Sequence, residues 1–379
     1  MNPLRHLAAL GQSVYLDEIS RGMLRSGELR RMIADDGLHG VTSNPAIFEQ
    51  AIAKSSDYDD AVRNLAGDAL TPEQIYETLA LEDIQDAADL FADVYRQSDG
   101  EHGYVSLEVS PLLADDTEAT VAEARRLWQA LARPNVFIKV PGTAAGLPAI
   151  RQLTADGINL NVTLLFGLPR YQAVADAYVA GLEDRLAAGR PLHEVVSVAS
   201  FFLSRIDVAV DALLDAIADD GPGDASDRAR ALRGQSAIAS AKRAYVIYSE
   251  RFSHERFETL AAHGARPQRL LWASTGVKDP AYDATHYVEP LVGSPTITTL
   301  PRATLDAYRR QGDPAPRLAE GLDEAARRLR ALADLGIDID DVTRRLEREG
   351  VEKFVTPYRS LLETIESAAS RARRRSSAT

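Results

Sequence analysis

Short apolar runs alternate with longer amphipathic stretches along the whole of this 379-residue chain. Eight of the runs are brief and rich in β-branched or aromatic residues, which is typical of strands buried in a parallel sheet. They predict strands over 13–19, 37–44, 104–110, 136–142, 158–166, 195–202, 269–274 and 296–300. Between them, apolar residues recur at three- and four-residue spacing, as over 117–131 and 168–189, and this spacing predicts helices.

Eight strands that alternate with helices predict an α/β fold, a closed parallel (β/α)8 TIM barrel. The chain exceeds the barrel minimum in three places: a helical insertion over 46–102, helices over 206–219 and 235–264 joined by "DDGPGDASD", and a C-terminal helical extension from about 302. We expect a single barrel domain over 1–368 that includes this extension. Residues 369–379 are rich in Arg and Ser, and we expect them to form a disordered basic tail.

The amino-acid composition indicates which binding partners and which cellular compartment to expect. The net charge of −13 and the pI near 5.1 argue against nucleic acid or an anionic membrane surface as a partner. The chain has no cysteine, no apolar run of transmembrane length and no signal-peptide pattern, so we expect a cytoplasmic protein. The seven histidines show no pair at helical ligand spacing, which disfavours a metal site but leaves carboxylate-bound Mg²⁺ open. The oligomeric state is also open, a homo-oligomer included.

The most informative residue is Lys139, which stands inside the apolar run "VFIKVPG". A buried ammonium loses its hydration, so the protein must either pair it or favour its neutral form. The chain has 43 basic residues, and only five of them are lysines. Lysine can lose its proton and attack a carbonyl, whereas arginine essentially cannot. Lys139 is therefore a candidate nucleophile.

Further polar residues stand at the other predicted strand ends. In a (β/α)8 barrel the active site lies at the carboxyl ends of the strands, so these side chains should converge. Taken singly, an Asp, Asn or Thr at such a position is more often a helix cap, a turn residue or a partner of loop backbone, and Glu108 is as well explained as an ion-pair member. Together they predict an amine with two carboxylates to move protons and neutral groups to bind a polyhydroxylated substrate. The set is Asp17, Thr42, Asn44, Glu108, Asn161, Thr163, Ser200, Arg205 and Ser274.

These residues fall in motifs that resemble those of the transaldolases, which are Schiff-base-forming class I enzymes of the pentose phosphate pathway. The motifs are "VTSNPAIF", "EVSP", "IKVPGT", "INLNVTLLF", "ASFFLSRID" and "WASTG", in this order. The C-terminal extension resembles that of the longer bacterial members. The resemblance implies that Lys139 forms the Schiff base, that Asp17 is the acid/base for carbon–carbon cleavage, and that Glu108 and Thr163 hold and activate a water. It implies phosphorylated sugars as substrates and no cofactor or metal.

The same resemblance assigns the substrate-binding residues. Asn44, Asn161 and Ser200 would bind the dihydroxyacetone portion, with Thr42 supporting the network. Phe202 shares a strand face with Ser200, so we expect its ring to face the three-carbon fragment. Arg205 and Ser274 would bind the phosphate. Many members carry an Arg two residues after this Ser, where this chain has Gly276. Lys278 is the candidate to supply the missing charge.

Three alternatives stand beside this interpretation. A fructose-6-phosphate aldolase shares the barrel and releases free dihydroxyacetone, but such enzymes are shorter and carry Gln and Tyr where this chain has Glu108 and Phe202. A metal-dependent aldolase or isomerase is disfavoured by the histidine pattern. A binding or scaffold barrel would not need a lysine and two carboxylates at its strand ends.

Overall fold

Eight parallel strands close into a barrel in the computed structural model, which describes residues 2–68 and 70–376. Each strand pairs with the next along the chain, and the last pairs with the first. The predicted (β/α)8 barrel is confirmed. The strands are β1 Gln12–Leu16, β2 Gly40–Val41, β3 Tyr104–Glu108, β4 Val136–Pro141, β5 Leu160–Leu165, β6 Ser197–Phe202, β7 Arg269–Ala273 and β8 Thr296–Leu300.

Every residue of these strands is buried, because helices cover the outside and side chains fill the inside. Most observed strands are shorter than predicted. β1, β3 and β7 end before the last polar residues of their predicted segments, whereas β5 and β6 begin two residues later than predicted. The difference is largest at β2, which ends at Val41 because Asn44 already caps the next helix. Of the predicted site residues, Asp17, Thr42, Asn44, Ser274 and Lys278 thus lie on loops after the strands, and Arg205 lies at the start of the helix after β6. The others lie within strands β3 to β6, and they are Glu108, Lys139, Asn161, Thr163, Ser200 and Phe202.

The helices follow the amphipathic stretches. They are α1 Pro3–Ala9, α2 Arg21–Arg25, α3 Glu28–Asp36, α4 Pro45–Ala53, α5 Asp59–Gly67, α6 Pro72–Leu90, α7 Ala92–Gln97, α8 Thr117–Leu131, α9 Gly146–Asp156, α10 Leu168–Ala187, α11 Ser204–Asp219, α12 Asp224–Leu232, α13 Ser236–Phe252, α14 Glu255–Ala261, α15 Arg302–Gln311, α16 Leu322–Asp334 and α17 Ile339–Ser376. None of these helices, in the residues described, is long and apolar enough to cross a membrane.

Two details between β6 and β7 differ from the prediction. The helix expected over 235–264 is two helices, α13 and α14, because the chain breaks at Ser253 and His254 accepts a capping hydrogen bond from the Arg256 amide. The segment expected only to join two helices contains α12, whose buried face includes Ala229. The apolar face of α12 is only about two turns long and follows a segment rich in Gly, Pro and Asp, so the sequence pattern did not indicate a helix.

The C-terminal helix α17 covers the carboxyl-terminal mouth of the barrel. It approaches β5 closely at Gly350, where an added Cβ would lie 3.0 Å from the Leu164 side chain. The helix continues through Ser376, so the predicted disordered tail is wrong for residues 369–376, while 377–379 lie outside the described residues. Its end is buried at Ala369, and Arg373 donates hydrogen bonds to the carbonyls of Ala66 and Leu70. Apolar packing and these bonds outweigh the charge of the segment.

Candidate active site

The buried lysine is paired. Lys139 on β4 lies directly beside Glu108 on β3 in the strand register, and its Nζ is 3.1 Å from Glu108 Oε2. The two side chains are only 6% and 5% exposed. Lys139 Nζ also donates a hydrogen bond of 3.1 Å to the Ser43 carbonyl. Burial raises the pKa of Glu108 above its ordinary value, and the Lys139 ammonium opposes this shift. A carboxyl that holds its proton more tightly than usual is a suitable proton carrier for the neighbouring amine.

The next strand carries neutral hydrogen-bonding groups at the same level. Asn161 on β5 is the register partner of Lys139, and its amide donates to Ser106 Oγ at 3.1 Å. Ser200 on β6 donates to Asn161 Oδ1 at 2.6 Å. Thr163 Oγ1 is buried without a hydrogen-bond partner in the described part of the chain. A buried hydroxyl of this kind is normally satisfied by a water or a ligand.

Asp17 lies on the opposite side of the mouth, just after β1. Its Oδ1 accepts a hydrogen bond of 2.7 Å from Thr42 Oγ1, which also lies 2.7 Å from Thr299 Oγ1. Burial raises the pKa of Asp17, while Lys139, Thr42 and Lys278 act in the other direction. The cluster therefore contains two carboxyls with raised pKa values on either side of one amine, an arrangement suited to stepwise proton transfer.

Asn44 serves the fold and the site together. Its Oδ1 accepts a hydrogen bond of 3.0 Å from the Ile47 amide and so caps helix α4. Within the described residues no hydrogen bond is recorded from its amide NH₂ group, and the side chain lines the cavity in front of Lys139. Asn44 is therefore a helix cap, as one explanation of such residues predicts, and its side chain also lines the cavity in front of Lys139.

The rim of the site is positively charged. Arg205, at the start of α11, has a buried Nη1 without a hydrogen-bond partner among the described residues. Burial lowers its pKa. Ser274 follows β7 with a positive φ of 54°, and its Oγ lies 2.9 Å from Ser204 Oγ. Strained backbone of this kind is concentrated at functional sites. Lys278 is exposed at the rim, near Gly276. An unpaired guanidinium, a lysine and two hydroxyls are the groups that bind a phosphate.

A cavity of about 200 Å³ joins these groups. The predicted residues that line it are Asp17, Thr42, Asn44, Lys139, Ser200, Phe202, Arg205, Ser274 and Lys278. Glu108, Asn161 and Thr163 are buried beside Lys139 but do not line this space. Phe202 forms an apolar wall, with its ring centroid 5.2 Å from that of Phe166. The structure thus brings all the predicted residues to one barrel mouth.

Sequence reasoning missed three contributors to the site. The ring of Phe354 on α17 lies 5.4 Å from Lys139 Nζ and 6.0 Å from the Arg205 guanidinium carbon. The Thr299 hydroxyl and the Ser43 carbonyl complete the networks of Asp17 and Lys139. Thr299 lies on β8, and its position in that strand was the one available signal. Nothing in the sequence near Phe354 indicates that a C-terminal helix closes the mouth.

The described residues contain no group of three or more His, Cys, Asp or Glu side chains arranged to hold a metal ion. The groups that do converge are an amine, two carboxyls, neutral hydrogen-bond formers and a cationic rim. This set suits an amine that attacks a carbonyl of a phosphorylated, polyhydroxylated substrate. Fold and site together define a Schiff-base-forming (β/α)8 barrel enzyme.

Comparison with known proteins identifies the family. The model of the transaldolase/fructose-6-phosphate aldolase family matches residues 14–365. A transaldolase from Thiobacillus denitrificans is 50% identical over 365 residues, which cover 96% of this chain and 100% of that protein. A transaldolase from Thermobifida fusca is 48% identical, over 96% of this chain and 97% of that protein. The chain belongs to the transaldolase/fructose-6-phosphate aldolase family.

Proposed function

We propose that this protein is a transaldolase of the cytoplasm, which transfers a dihydroxyacetone unit from sedoheptulose 7-phosphate to glyceraldehyde 3-phosphate. The products are erythrose 4-phosphate and fructose 6-phosphate. The observation that carries the proposal is the buried pair of Lys139 and Glu108, 3.1 Å apart, at the floor of a mouth with a cationic rim. The names of the relatives, each a transaldolase at 48–50% identity, point the same way.

The pair starts the reaction by moving a proton. Glu108 takes a proton from the Lys139 ammonium, and the neutral amine attacks the ketose carbonyl carbon as the carbonyl π bond breaks. One proton then moves from the attached nitrogen to the former carbonyl oxygen, which gives a neutral carbinolamine. Glu108 then returns its proton to the carbinolamine hydroxyl, which leaves as water and creates an iminium. Burial favours the protonated carboxyl in the first step, and the 3.1 Å separation is short enough for direct transfer. The unpartnered Thr163 hydroxyl is a candidate to hold the leaving water.

Asp17 performs the cleavage step. Its carboxylate accepts the proton of the C4 hydroxyl, the bond between C3 and C4 breaks, and the electron pair moves into the iminium to give an enamine. The raised pKa of Asp17 makes it a stronger base for this proton than an exposed carboxylate would be. Thr42 holds the carboxylate through its 2.7 Å hydrogen bond. The acceptor aldehyde then enters, and the steps run in reverse.

The binding groups divide the substrate between them. Asn44 and Ser200 line the cavity beside Lys139 and would bind the three-carbon portion, and Asn161, which lies behind them, accepts the Ser200 hydrogen bond. Arg205 and Ser274 lie at the rim, where the phosphate would bind. Lys278 provides a second cation at the rim, where Gly276 leaves no charge. The Phe202 ring, 6% exposed, offers the enamine no proton, which favours transfer to an aldehyde over release of dihydroxyacetone.

An activity assay with a lysine variant tests the proposal. Purified enzyme should form sedoheptulose 7-phosphate from fructose 6-phosphate and erythrose 4-phosphate, and Lys139→Arg should lose this activity by several orders of magnitude because a guanidinium forms no iminium. Lys242→Arg is the matched control, because Lys242 instead donates hydrogen bonds to the carbonyls of Arg317 and Glu320. This variant should retain the activity. Substantial turnover by Lys139→Arg would exclude the proposed mechanism.

A further inference from the structure

A second cavity lies behind the proton carrier of the proposed mechanism. It has a volume of about 200 Å³, and its lining includes Glu108, Tyr76, Ala80, Glu123 and Tyr358. Among the described residues it shares no lining residue with the cavity in front of Lys139. We call these the back cavity and the front cavity. Lys139 lines the front cavity and Glu108 lines the back cavity, so their ion pair bridges the wall between the two.

Helix α17 and the loop after β2 build the rest of this wall. On α17, Phe354 faces the front cavity and Tyr358, one turn later, faces the back cavity. At the end of the loop, Asn44 lines the front cavity, and Pro45, the first residue of α4, lines the back cavity. Neighbouring residues of the same segments therefore line opposite cavities, and Glu108 is the acidic group of the wall between them.

The lining of the back cavity suits water. Glu123 Oε1 accepts a hydrogen bond of 3.0 Å from the Ser110 amide, and burial raises its pKa. Burial and the nearby Tyr358, Glu108 and Glu123 raise the pKa of Tyr76 far above its ordinary value, so its hydroxyl remains a hydrogen-bond donor. No partner for that hydroxyl is recorded within the described chain. A polar cavity of this size with several donors and acceptors has room and hydrogen-bonding partners for more than one water.

The Schiff-base reaction both releases and consumes water beside Glu108. Iminium formation releases one water from the carbinolamine, and iminium hydrolysis consumes one. During both steps the sugar occupies the front cavity from Lys139 to the phosphate-binding rim at Arg205. With the sugar in the front cavity, the back cavity is the space that Glu108 lines on the other face of the wall, and its lining includes the partly exposed Glu77–Arg126 ion pair.

We propose that the back cavity is the passage through which the water of Schiff-base formation and hydrolysis leaves and enters, with Tyr76, Glu123 and Tyr358 as its polar lining. This inference rests on the proposed function. It assigns a role to residues that never contact the sugar, and it separates the path of the water from the path of the substrate.

An oxygen-label experiment tests the passage. Fructose 6-phosphate labelled with ¹⁸O at C2 is converted with erythrose 4-phosphate in unlabelled water, and the label in sedoheptulose 7-phosphate is measured by mass spectrometry. If the released water escapes, the product carries solvent oxygen; if it is trapped, the product keeps ¹⁸O. Ala80→Leu on α6 and Leu127→Phe on α8 fill the back cavity from two walls. Thr356→Leu adds similar bulk to the exposed outer face of α17 and is the control.

The passage predicts that both filling variants retain the label several-fold more than the wild-type protein and Thr356→Leu. Equal label retention in all four proteins would overturn the proposal, and a filling variant that fails to fold leaves the other to decide. Borohydride trapping on Lys139 in the same samples separates the two hypotheses. Absence of an adduct in the wild-type protein would refute the proposed function, whereas adducts with unchanged label retention would refute the passage alone.

Discussion

Replacing Glu108 by glutamine removes the proton carrier and the partner of a buried charge while keeping the side-chain shape. The Lys139–Glu108 pair is 3.1 Å apart, and both side chains are at least nine-tenths buried. Removing one partner of such a pair costs about 3–5 kcal/mol when the remaining charge is left uncompensated. The Gln oxygen and the Ser43 carbonyl can still accept hydrogen bonds from the ammonium, so we expect the low end of this range.

The kinetic effect should be larger than the stability effect. A positioned acid/base group contributes about 10²- to 10⁴-fold to the step it serves. Glu108→Gln should therefore slow Schiff-base formation and hydrolysis by a factor in this range. Borohydride quenching at successive times, followed by mass spectrometry of the intact protein, gives the rate of adduct formation. Urea denaturation gives the free energy of unfolding.

Asp36→Asn is the matched control for this variant. Asp36 is also a buried carboxylate, and it accepts hydrogen bonds from Arg309 at 2.8 Å and 2.6 Å. It does not line the front cavity. It should lose stability without slowing adduct formation. If Glu108→Gln forms the adduct as fast as Asp36→Asn does, Glu108 does not carry the proton and the reasoning is refuted.

Three further predictions concern single side chains. Asp17→Asn should accept the ketose on Lys139 but stall before cleavage, so that trapped adduct contains the whole ketose; a three-carbon adduct at the normal rate would contradict this. Phe202→Tyr should raise the release of dihydroxyacetone from fructose 6-phosphate in the absence of acceptor and lower its transfer to erythrose 4-phosphate. The release is measured as glyceraldehyde 3-phosphate with a coupled dehydrogenase. Equal turnover of the variant and the wild-type protein would show that Phe202 does not protect the enamine. Burial raises the pKa of Asp207, whose Oδ1 accepts a 2.7 Å hydrogen bond from the Ala237 amide, to about 7. A carboxyl with a raised pKa favours the folded state at low pH, and this contribution to the free energy of unfolding is lost as pH rises towards 7. The free energy of unfolding of the wild-type protein should therefore fall by about 2–3 kcal/mol between pH 5 and pH 8 relative to that of Asp207→Asn. Parallel pH profiles of the two proteins in urea denaturation would contradict this.

The sequence predicted the barrel and its polar mouth because both depend on local pattern. Apolar alternation defines the strands, and a (β/α)8 topology brings the ends of all eight strands together, so Asp17, Glu108 and Lys139 could be placed in one site. The Lys139–Glu108 pair in particular follows from adjacent strands in register.

The C-terminal helix could not be placed in this way. The contact between Lys139 and Phe354 depends on the path of α17 across the barrel, which no local pattern encodes. The prediction of a disordered tail failed for a related reason. The Arg-rich composition near 370 favours disorder, but Ala369 packs in the core and Arg373 finds carbonyl partners on α5 and the loop after it.

The identity of the nucleophile is the central claim, and mapping the trapped adduct tests it most directly. The enzyme is incubated with fructose 6-phosphate, reduced with borohydride, digested and sequenced by mass spectrometry. We predict a three-carbon adduct on Lys139, insensitive to EDTA and absent without substrate. An adduct on another lysine, or activity that EDTA abolishes with no adduct formed, would contradict the account.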